Sequence, residues 1–215
     1  ENADLVVTDY CKEHTYNSKS EFFEYKNLQE HVLYEFDKIN LEMLNGEYFV
    51  MATSTYKTEI LRKSGLKLLE NTFYVDMQYN VVPITSVQTF VYYHLDIYRY
   101  FIGRKEQSMN MDNFVRNQND HKKMIKWLIE YYTSISGKLS PNKREYIEMI
   151  LTYTLNTHYS IYCEYDKNHK RAYTEILDFD KYLLQTNKAL YERLNCMAYV
   201  RYNRKTKFKF VRING

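Results

Sequence analysis

Residues 71–79, which read NTFYVDMQY, decide how the chain is interpreted. The spacing of the apolar residues predicts a helix over residues 73–82, which Pro83 ends or bends because its ring does not fit a helix interior. Such a helix places Asp76 near its start, in an aromatic setting. A carboxylate there can act as a general base, or it can simply favour the positive end of the helix dipole. The spacing alone leaves both interpretations open.

The residues before this segment predict two further helices. Apolar residues at helical spacing predict a helix over residues 24–44, ended by an Asn-Gly pair. A second predicted helix has Ser54 or Thr55 as its N-cap and Gly65 just past its end. Capping therefore explains Ser54 and Thr55 without any functional role.

Strand patterns lie on both sides of these helices. Short runs rich in β-branched and aromatic residues predict strands over residues 4–9, 48–52, 87–93 and 97–102. The polar residues 11–20 predict a loop, and residues 94–96 predict a hairpin turn between the last two strands. Mixed strands and helices of this kind are typical of an α/β fold.

The pattern changes after residue 110, where strand signals stop. Apolar residues at helical spacing continue to about residue 195, and Ser140-Pro141 predicts a helix that starts with proline in its first position. We therefore predict an α/β part over residues 1–108 followed by an α-helical bundle within residues 109–215. The chain is predicted to be mostly helical overall.

Composition excludes several classes of protein. Of the 215 residues, 45% are hydrophobic and 27% charged, a balance typical of globular rather than disordered chains. The net charge of +3 is too small to indicate a nucleic-acid partner. Three widely spaced cysteines favour free thiols and a cytoplasmic location. No apolar run is long enough to span a membrane, and no histidine has the spacing of a metal ligand.

A second informative segment, residues 98–108, reads YRYFIGRKEQS. A Gly-Arg loop that ends in Gln-Ser can bind an anionic or hydroxyl-rich ligand, because the planar guanidinium of Arg104 can pair with phosphate and the side chains of Gln107 and Ser108 can bond hydroxyl groups. The same residues also suit a polar connector between a sheet and a helical bundle.

In this order and at this spacing, the two segments resemble the acceptor half of family 2 glycosyltransferases, the inverting nucleotide-sugar enzymes with a GT-A fold. The resemblance covers roughly residues 1–110 and is of the bacterial polysaccharide type. It implies that residues 1–108 are the C-terminal half of a GT-A domain and that residues 109–215 are a helical extension. It also implies inverting sugar transfer from a nucleotide-sugar, with a UDP-sugar favoured, to a glycan or lipid-linked acceptor.

The resemblance assigns roles to single residues. It makes Asp76 the general base, although Val75 stands where family members usually carry glutamate. It brings Arg104 to the donor phosphate, and Gln107 and Ser108 to sugar hydroxyls. Ser54 and Thr55 are then expected near the acceptor. The resemblance thus implies five donor- or acceptor-binding residues: Arg104, Gln107, Ser108, Ser54 and Thr55.

The metal motif of the family is expected elsewhere. An Asp-x-Asp that holds Mg²⁺ or Mn²⁺ on the donor belongs to the nucleotide-binding half, which is expected upstream of Glu1, so no cofactor is expected within these residues. We predict that Asp178-Phe179-Asp180 is instead a pair of solvent-facing acids on a helix, with Phe179 on its apolar face. This segment alone is expected to be inactive and to self-associate through exposed sheet edges.

Residues 199–215 combine aromatic residues with a series of basic ones and no acid. They are interpreted as solvated surface, as a contact to anionic lipid at the inner face of the cell membrane, or, least favoured, as a nucleic-acid contact. For the whole chain, the alternatives to a transferase are a non-catalytic helical interaction module and a nucleic-acid-binding domain.

Overall fold

The computed structural model describes residues 2–14, 16–103, 111–209 and 211, and over these it is 56% helical. A curled N-terminal sheet is followed by a helical C-terminal region. The predicted order of an α/β part and then helices is therefore confirmed, as is a mostly helical chain. The assignment of residues 1–108 to half of a GT-A domain and of residues 109–215 to its extension stays a prediction.

The chain forms two compact units that are interleaved in sequence. The first contains Glu1–Asn71, Val75–Gln107 and Lys138–Met149, and the second contains Thr72–Tyr74, Ser108–Gly137 and Ile150–Gly215.

The sheet of the first unit is built around one central strand. Its strands are β1 Leu5–His14, β2 Lys19–Phe23, β3 Leu33–Glu35, β4 Ser54–Tyr56 and β5 Thr89–Ile102. One edge of β1 pairs antiparallel with β4 at its beginning and with β2 at its end, and the other edge pairs parallel with β5. Strand β3 pairs antiparallel with β5, which gives the order β2-β1-β5-β3.

The described chain also contains eight α-helices. Within the first unit lie α1 Thr58–Ser64 and α2 Asp76–Val81. The later helices are α3 Met111–Arg116, α4 Gln118–Ile135, α5 Pro141–Ser160, α6 His169–Thr186, α7 Lys188–Arg193 and α8 Ala198–Lys205. Proline is the first residue of α5, as predicted. No helix of the described ranges has both the length and the apolar character needed to cross a bilayer.

The predicted helix over residues 24–44 is wrong. The region forms the short strand β3 and a 3-10 turn, Leu41–Leu44. Phe36 is buried by long-range contacts rather than along a helix face: it donates its N–H to the Gln88 carbonyl, and its ring packs edge-on against Tyr146. Non-local packing overrides the local pattern here.

The predicted loop over residues 11–20 and the hairpin at residues 94–96 are also wrong. Strand β1 continues to His14, and β5 runs unbroken through the expected turn with a register shift beside Asp9. Charged residues fit the middle of β5 because residues of opposite charge, on a neighbouring strand or on β5 itself, pair with them. Asp96, for example, lies 2.7 Å from Arg99.

The predicted capping role of Ser54 and Thr55 is wrong, as is the strand over residues 48–52. Both residues lie in β4, which follows a 3-10 turn, Met51–Thr53, and α1 begins after Lys57 without a side-chain cap. The end of α1 is as predicted, because Gly65 adopts the left-handed conformation with φ of 67°.

Replacing Gly65 with Ala is expected to lower the free energy of unfolding by about 1–2 kcal/mol, because an L-residue is strained at that φ. The matched control is Gly137→Ala: neither glycine has a heavy atom within 4 Å of an added Cβ, but only Gly65 has positive φ. Urea unfolding of the two variants measures the difference. Equal stabilities would contradict the backbone argument.

The core of the first unit is aromatic. Phe36, Phe49, Phe90 and Tyr146 are essentially inaccessible to solvent. The hydroxyl oxygen of Tyr146 accepts a 2.8 Å hydrogen bond from the Phe49 N–H, which satisfies both buried groups. The first turns of α5 are thus tied to the sheet within this unit.

The second unit contains a buried histidine pair. The rings of His121 on α4 and His158 on α5 stack with centroids 5.1 Å apart, and their Nδ1 atoms are 3.0 Å apart. Only one of these nitrogens can donate to the other, so at least one ring of the pair is neutral. Burial lowers the pKa of His121 to about 3. Burial, with the charges of His121, Lys122 and Lys126, also lowers the pKa of His158 well below its ordinary value.

Acidification is therefore expected to destabilise the second unit. An unfolded histidine has a pKa of about 6.5, so below that pH the unfolded state binds more protons and stability falls until the pH approaches the folded pKa. Between pH 7.5 and pH 5.0 we expect a loss of at least about 1 kcal/mol per histidine. Urea unfolding followed by fluorescence of the single tryptophan, Trp127, measures it.

The variant His121→Phe should flatten this pH dependence, because an aromatic ring of similar shape remains and one titrating group is lost. The control His169→Gln, at the less buried start of α6, should keep the slope of the parent protein. An identical slope in all three proteins would show that the buried pair does not titrate.

Candidate functional site

Asp76 is the first residue of α2, directly after Val75. The turn that delivers it contains two non-glycine residues in the left-handed conformation, Asn71 with φ of 51° and Tyr74 with φ of 68°. Asparagine adopts this conformation readily, whereas at Tyr74 it costs about 1–3 kcal/mol. The sequence prediction of a helix here is confirmed, although the helix begins three residues later than expected.

The Asp76 carboxylate is half-buried. Burial raises its pKa above the ordinary value of 3.8, and hydrogen bonds from the backbone N–H groups of Asp76 and Met77 offset part of that shift. In the described part of the chain no arginine or lysine contributes to the shift. A carboxylate with raised pKa binds a proton more strongly than an exposed aspartate does, which suits a general base.

The structure brings the segment with Ser54 and Thr55 close to the helix of Asp76. Tyr79 on α2 donates its hydroxyl to the Ser54 carbonyl oxygen at 3.4 Å, and its ring packs edge-on against Tyr56. Ser54 is buried whereas Thr55 is exposed, because successive residues of β4 point to opposite faces. Of these two predicted binding residues, only Thr55 therefore presents its side chain to solvent.

The predicted binding residues Arg104, Gln107 and Ser108 lie outside the described residues. Strand β5 ends at Ile102, and Gly103 follows with φ of 110°. Residues other than glycine rarely adopt an angle of this size. The roles of the three side chains stay predictions.

The Asp-x-Asp segment on α6 differs from the prediction in one residue. Asp178 is exposed and Phe179 is buried, as expected. Asp180 is not solvent-facing: its Oδ1 accepts a 2.7 Å hydrogen bond from Nε of Arg204 and another from the Tyr159 hydroxyl. The basic tail supplies its partner, so this carboxylate is neither free surface nor available to a metal.

The tail itself is partly built into the fold. Arg204 is largely buried, and Phe208 and Val211 belong to the core of the second unit. In the described part of the tail, the basic residues that remain exposed are Arg201, Lys205, Lys207 and Lys209. The interpretation as solvated surface therefore applies to these four and to Tyr202, which is 52% exposed, but not to Phe208.

A polar cluster that the sequence interpretation missed lies on the sheet. Asp9 on β1 is 4% exposed, and its Oδ2 lies 2.7 Å from Nδ1 of His94 on β5. The Tyr92 hydroxyl donates to Oδ1 of Asp9 at 2.7 Å. Burial raises the pKa of Asp9, while the bonds from Tyr92 and His94 partly counter the shift. In the sequence, Asp9 is visible only as a polar residue at the end of the predicted strand over residues 4–9. Its partner His94 was predicted to lie in a turn, so the pair could not be identified.

Next to this cluster is a pocket of about 320 Å³, formed by the end of β2 and the turns after it, which we call the 22–47 pocket. Its lining contains aromatic, acidic and amide side chains: Phe22, Phe23, Glu24, Tyr25, Lys26, Asn27, Met43, Leu44, Asn45 and Glu47. Glu24 links the two features, because its Oε2 lies 3.8 Å from Nδ1 of His94.

Among the described residues, no group of three or more histidine, cysteine or acidic side chains is arranged to hold a metal ion. No protein-family model, no curated protein and no solved structure matches this chain. The class of protein is therefore inferred from its residues and their geometry.

Proposed function

We propose that the chain is the acceptor-side part of an inverting glycosyltransferase with a GT-A fold, and that Asp76 is its general base. The observation that carries the proposal is a half-buried carboxylate of raised pKa, held at the start of a helix by a turn with two left-handed residues. The sequence resemblance supplies the reaction class. The curled sheet followed by helices is compatible with it.

The proposed reaction is a direct displacement. Asp76 accepts the proton of an acceptor hydroxyl while that oxygen forms a bond to the anomeric carbon and the nucleoside diphosphate leaves from the opposite face. Transfer of this proton contributes about 10²–10⁴-fold to the rate. Backbone N–H groups at the start of α2 stabilise the carboxylate before the proton arrives.

The remaining roles follow the same proposal. Arg104 binds the donor diphosphate, Gln107 and Ser108 bind sugar hydroxyls, and Thr55, next to buried Ser54, contacts the acceptor. A divalent cation, Mg²⁺ or Mn²⁺, neutralises the leaving diphosphate in enzymes of this kind. Asp178 and Asp180 do not fit that ion, because Asp180 is occupied by Arg204. We propose a cytoplasmic protein whose exposed basic residues contact the membrane surface.

The product of the reaction tests this proposal. The full-length protein, given a panel of UDP-sugars and a glycan or lipid-linked acceptor, should form a glycoside whose anomeric configuration is opposite to that of the donor. One-dimensional proton NMR of the product distinguishes the two configurations through the anomeric coupling. Retention of configuration would exclude the single-base mechanism.

A further inference from the structure

The 22–47 pocket has the chemistry of a site for a hydroxylated ligand. Phe22 exposes 68% of its surface, so one aromatic ring is available for stacking on an apolar face. Glu24 and Glu47 carry carboxylates that accept hydrogen bonds, and Asn27 and Asn45 carry amides that both donate and accept. An aromatic wall with convergent polar groups is the usual composition of a small-molecule site.

The charge of the lining selects among such ligands. Two carboxylates face one ammonium group, and that group, on Lys26, lies 3.5 Å from a carboxylate oxygen of Glu24. The only cation in the described pocket lining is therefore already paired and cannot bind a phosphate freely. The two carboxylates would repel a nucleoside diphosphate. A neutral polyhydroxylated ligand meets acceptors and amides without that penalty.

The polar cluster beside the pocket orients the ring of His94. Buried Asp9 holds Nδ1 of His94, while His94 leaves 60% of its side chain exposed next to Glu24. A carboxylate that fixes one ring nitrogen also fixes the orientation of the ring. The volume of about 320 Å³ is at the lower end of the range of about 300–1,000 Å³ for ligand pockets, so it suits a single sugar ring.

We infer that the 22–47 pocket is a subsite for one neutral sugar residue of the acceptor glycan, with Phe22 stacked on the sugar ring and Glu24 and Glu47 bound to its hydroxyls. This inference deepens the proposed function and rests on it. It places acceptor recognition on β2 and the turns after it, apart from the residues that act on the reacting hydroxyl.

Ligand-observed NMR tests the inference without any need for turnover. Saturation-transfer spectra of the purified chain are recorded with the methyl glycosides of glucose, galactose and N-acetylglucosamine, each at millimolar concentration. We expect saturation of ring protons for at least one of them. Phe22→Ala and Glu47→Gln should each weaken its binding by on the order of tenfold, since a stacked ring or a charged hydrogen bond is lost.

Matched controls keep the result specific. Phe101→Ala removes an aromatic ring that is also exposed but lies on β5, and Glu35→Gln neutralises an exposed carboxylate on β3. Both should bind the sugar as the parent chain does. Saturation from none of the three sugars, equal losses in Phe22→Ala and Phe101→Ala, or displacement of the sugar by tetramethylammonium at equal concentration would each overturn the inference.

The subsite and the proposed function fail in different ways. If sugar binding is absent while the Asp76→Asn variant still loses transfer, only the subsite is wrong. If sugar binding is present and depends on Phe22, but Asp76→Asn transfers at the parent rate, the pocket stands as a sugar site and the proposed function is wrong.

Discussion

Replacing Asp76 with Asn in the full-length protein is expected to lower the rate of sugar transfer by about 10²–10⁴-fold, with a small effect on acceptor affinity. The amide keeps the shape of the side chain and can still accept the backbone N–H bonds at the start of α2. It cannot accept the hydroxyl proton. The loss should therefore appear in kcat rather than in KM, measured by release of the nucleoside diphosphate.

The variant also separates catalysis from folding. Because burial raises the pKa of Asp76, the folded state disfavours the charged form, and this cost grows as the pH rises above the ordinary aspartate value. The neutral amide removes the cost, so the variant should be at least as stable as the parent at neutral pH. A less active but equally stable protein would support the general-base role.

The pH dependence of transfer gives a second readout of the same group. The base works only when deprotonated, so kcat/KM of the parent should fall on the acidic side through a pKa above 3.8. The control Glu59→Gln removes an acid from the first turn of α1 and should leave both rate and pH profile unchanged. If Asp76→Asn also leaves the rate unchanged, a non-catalytic helical interaction module becomes the favoured interpretation.

The sequence was most informative where structure is local. The helices after residue 110 follow from apolar spacing and from Pro141, and the end of α1 follows from the backbone freedom of Gly65, because each signal lies within a few residues of its effect. The end of α2 is similar, because Pro83 lies two residues beyond it in sequence, whereas its start lies three residues later than the spacing predicts. These features locate Asp76 on a helix without knowledge of any long-range contact.

The sequence was least informative where the position of a residue depends on a partner that is distant in sequence. The apolar residues of 24–44 have helical spacing, yet Phe36 among them packs against Phe90 and Tyr146, which are far away in sequence. His94 looked like a turn residue because Asp9, its partner on β1, is 85 positions earlier. Local spacing carries no information about such pairs, so the 22–47 pocket and its polar edge could not be predicted.

Asp180 is a further example, since its local pattern gave no sign of the ion pair that it forms. Arg204 on α8 donates to Asp180 at 2.7 Å, to the Tyr191 carbonyl at 2.7 Å and to the Tyr159 hydroxyl at 2.8 Å. Its guanidinium also lies 3.6 Å from the centre of the Tyr191 ring. The side chains of Arg204 and Asp180 are only 8% and 16% exposed. The network joins α8 to α6 and α7 within the second unit.

Replacing Arg204 with Met is therefore expected to lower the free energy of unfolding by about 3–5 kcal/mol, because Asp180 is left as a largely buried charge without its cation. Urea unfolding followed by Trp127 fluorescence reports on this unit. The control Arg201→Met, on the same helix but exposed, should change stability by less than about 0.5 kcal/mol. The double variant Asp180→Asn with Arg204→Met should recover part of the loss, since no uncompensated charge remains.

Equal midpoints for the Arg204 and Arg201 variants would mean that the network contributes nothing. A measured loss would instead show that Arg204 holds α8 in place, and that the cations proposed to contact a membrane are to be sought among the exposed ones, which in the described part of the tail are Arg201, Lys205, Lys207 and Lys209.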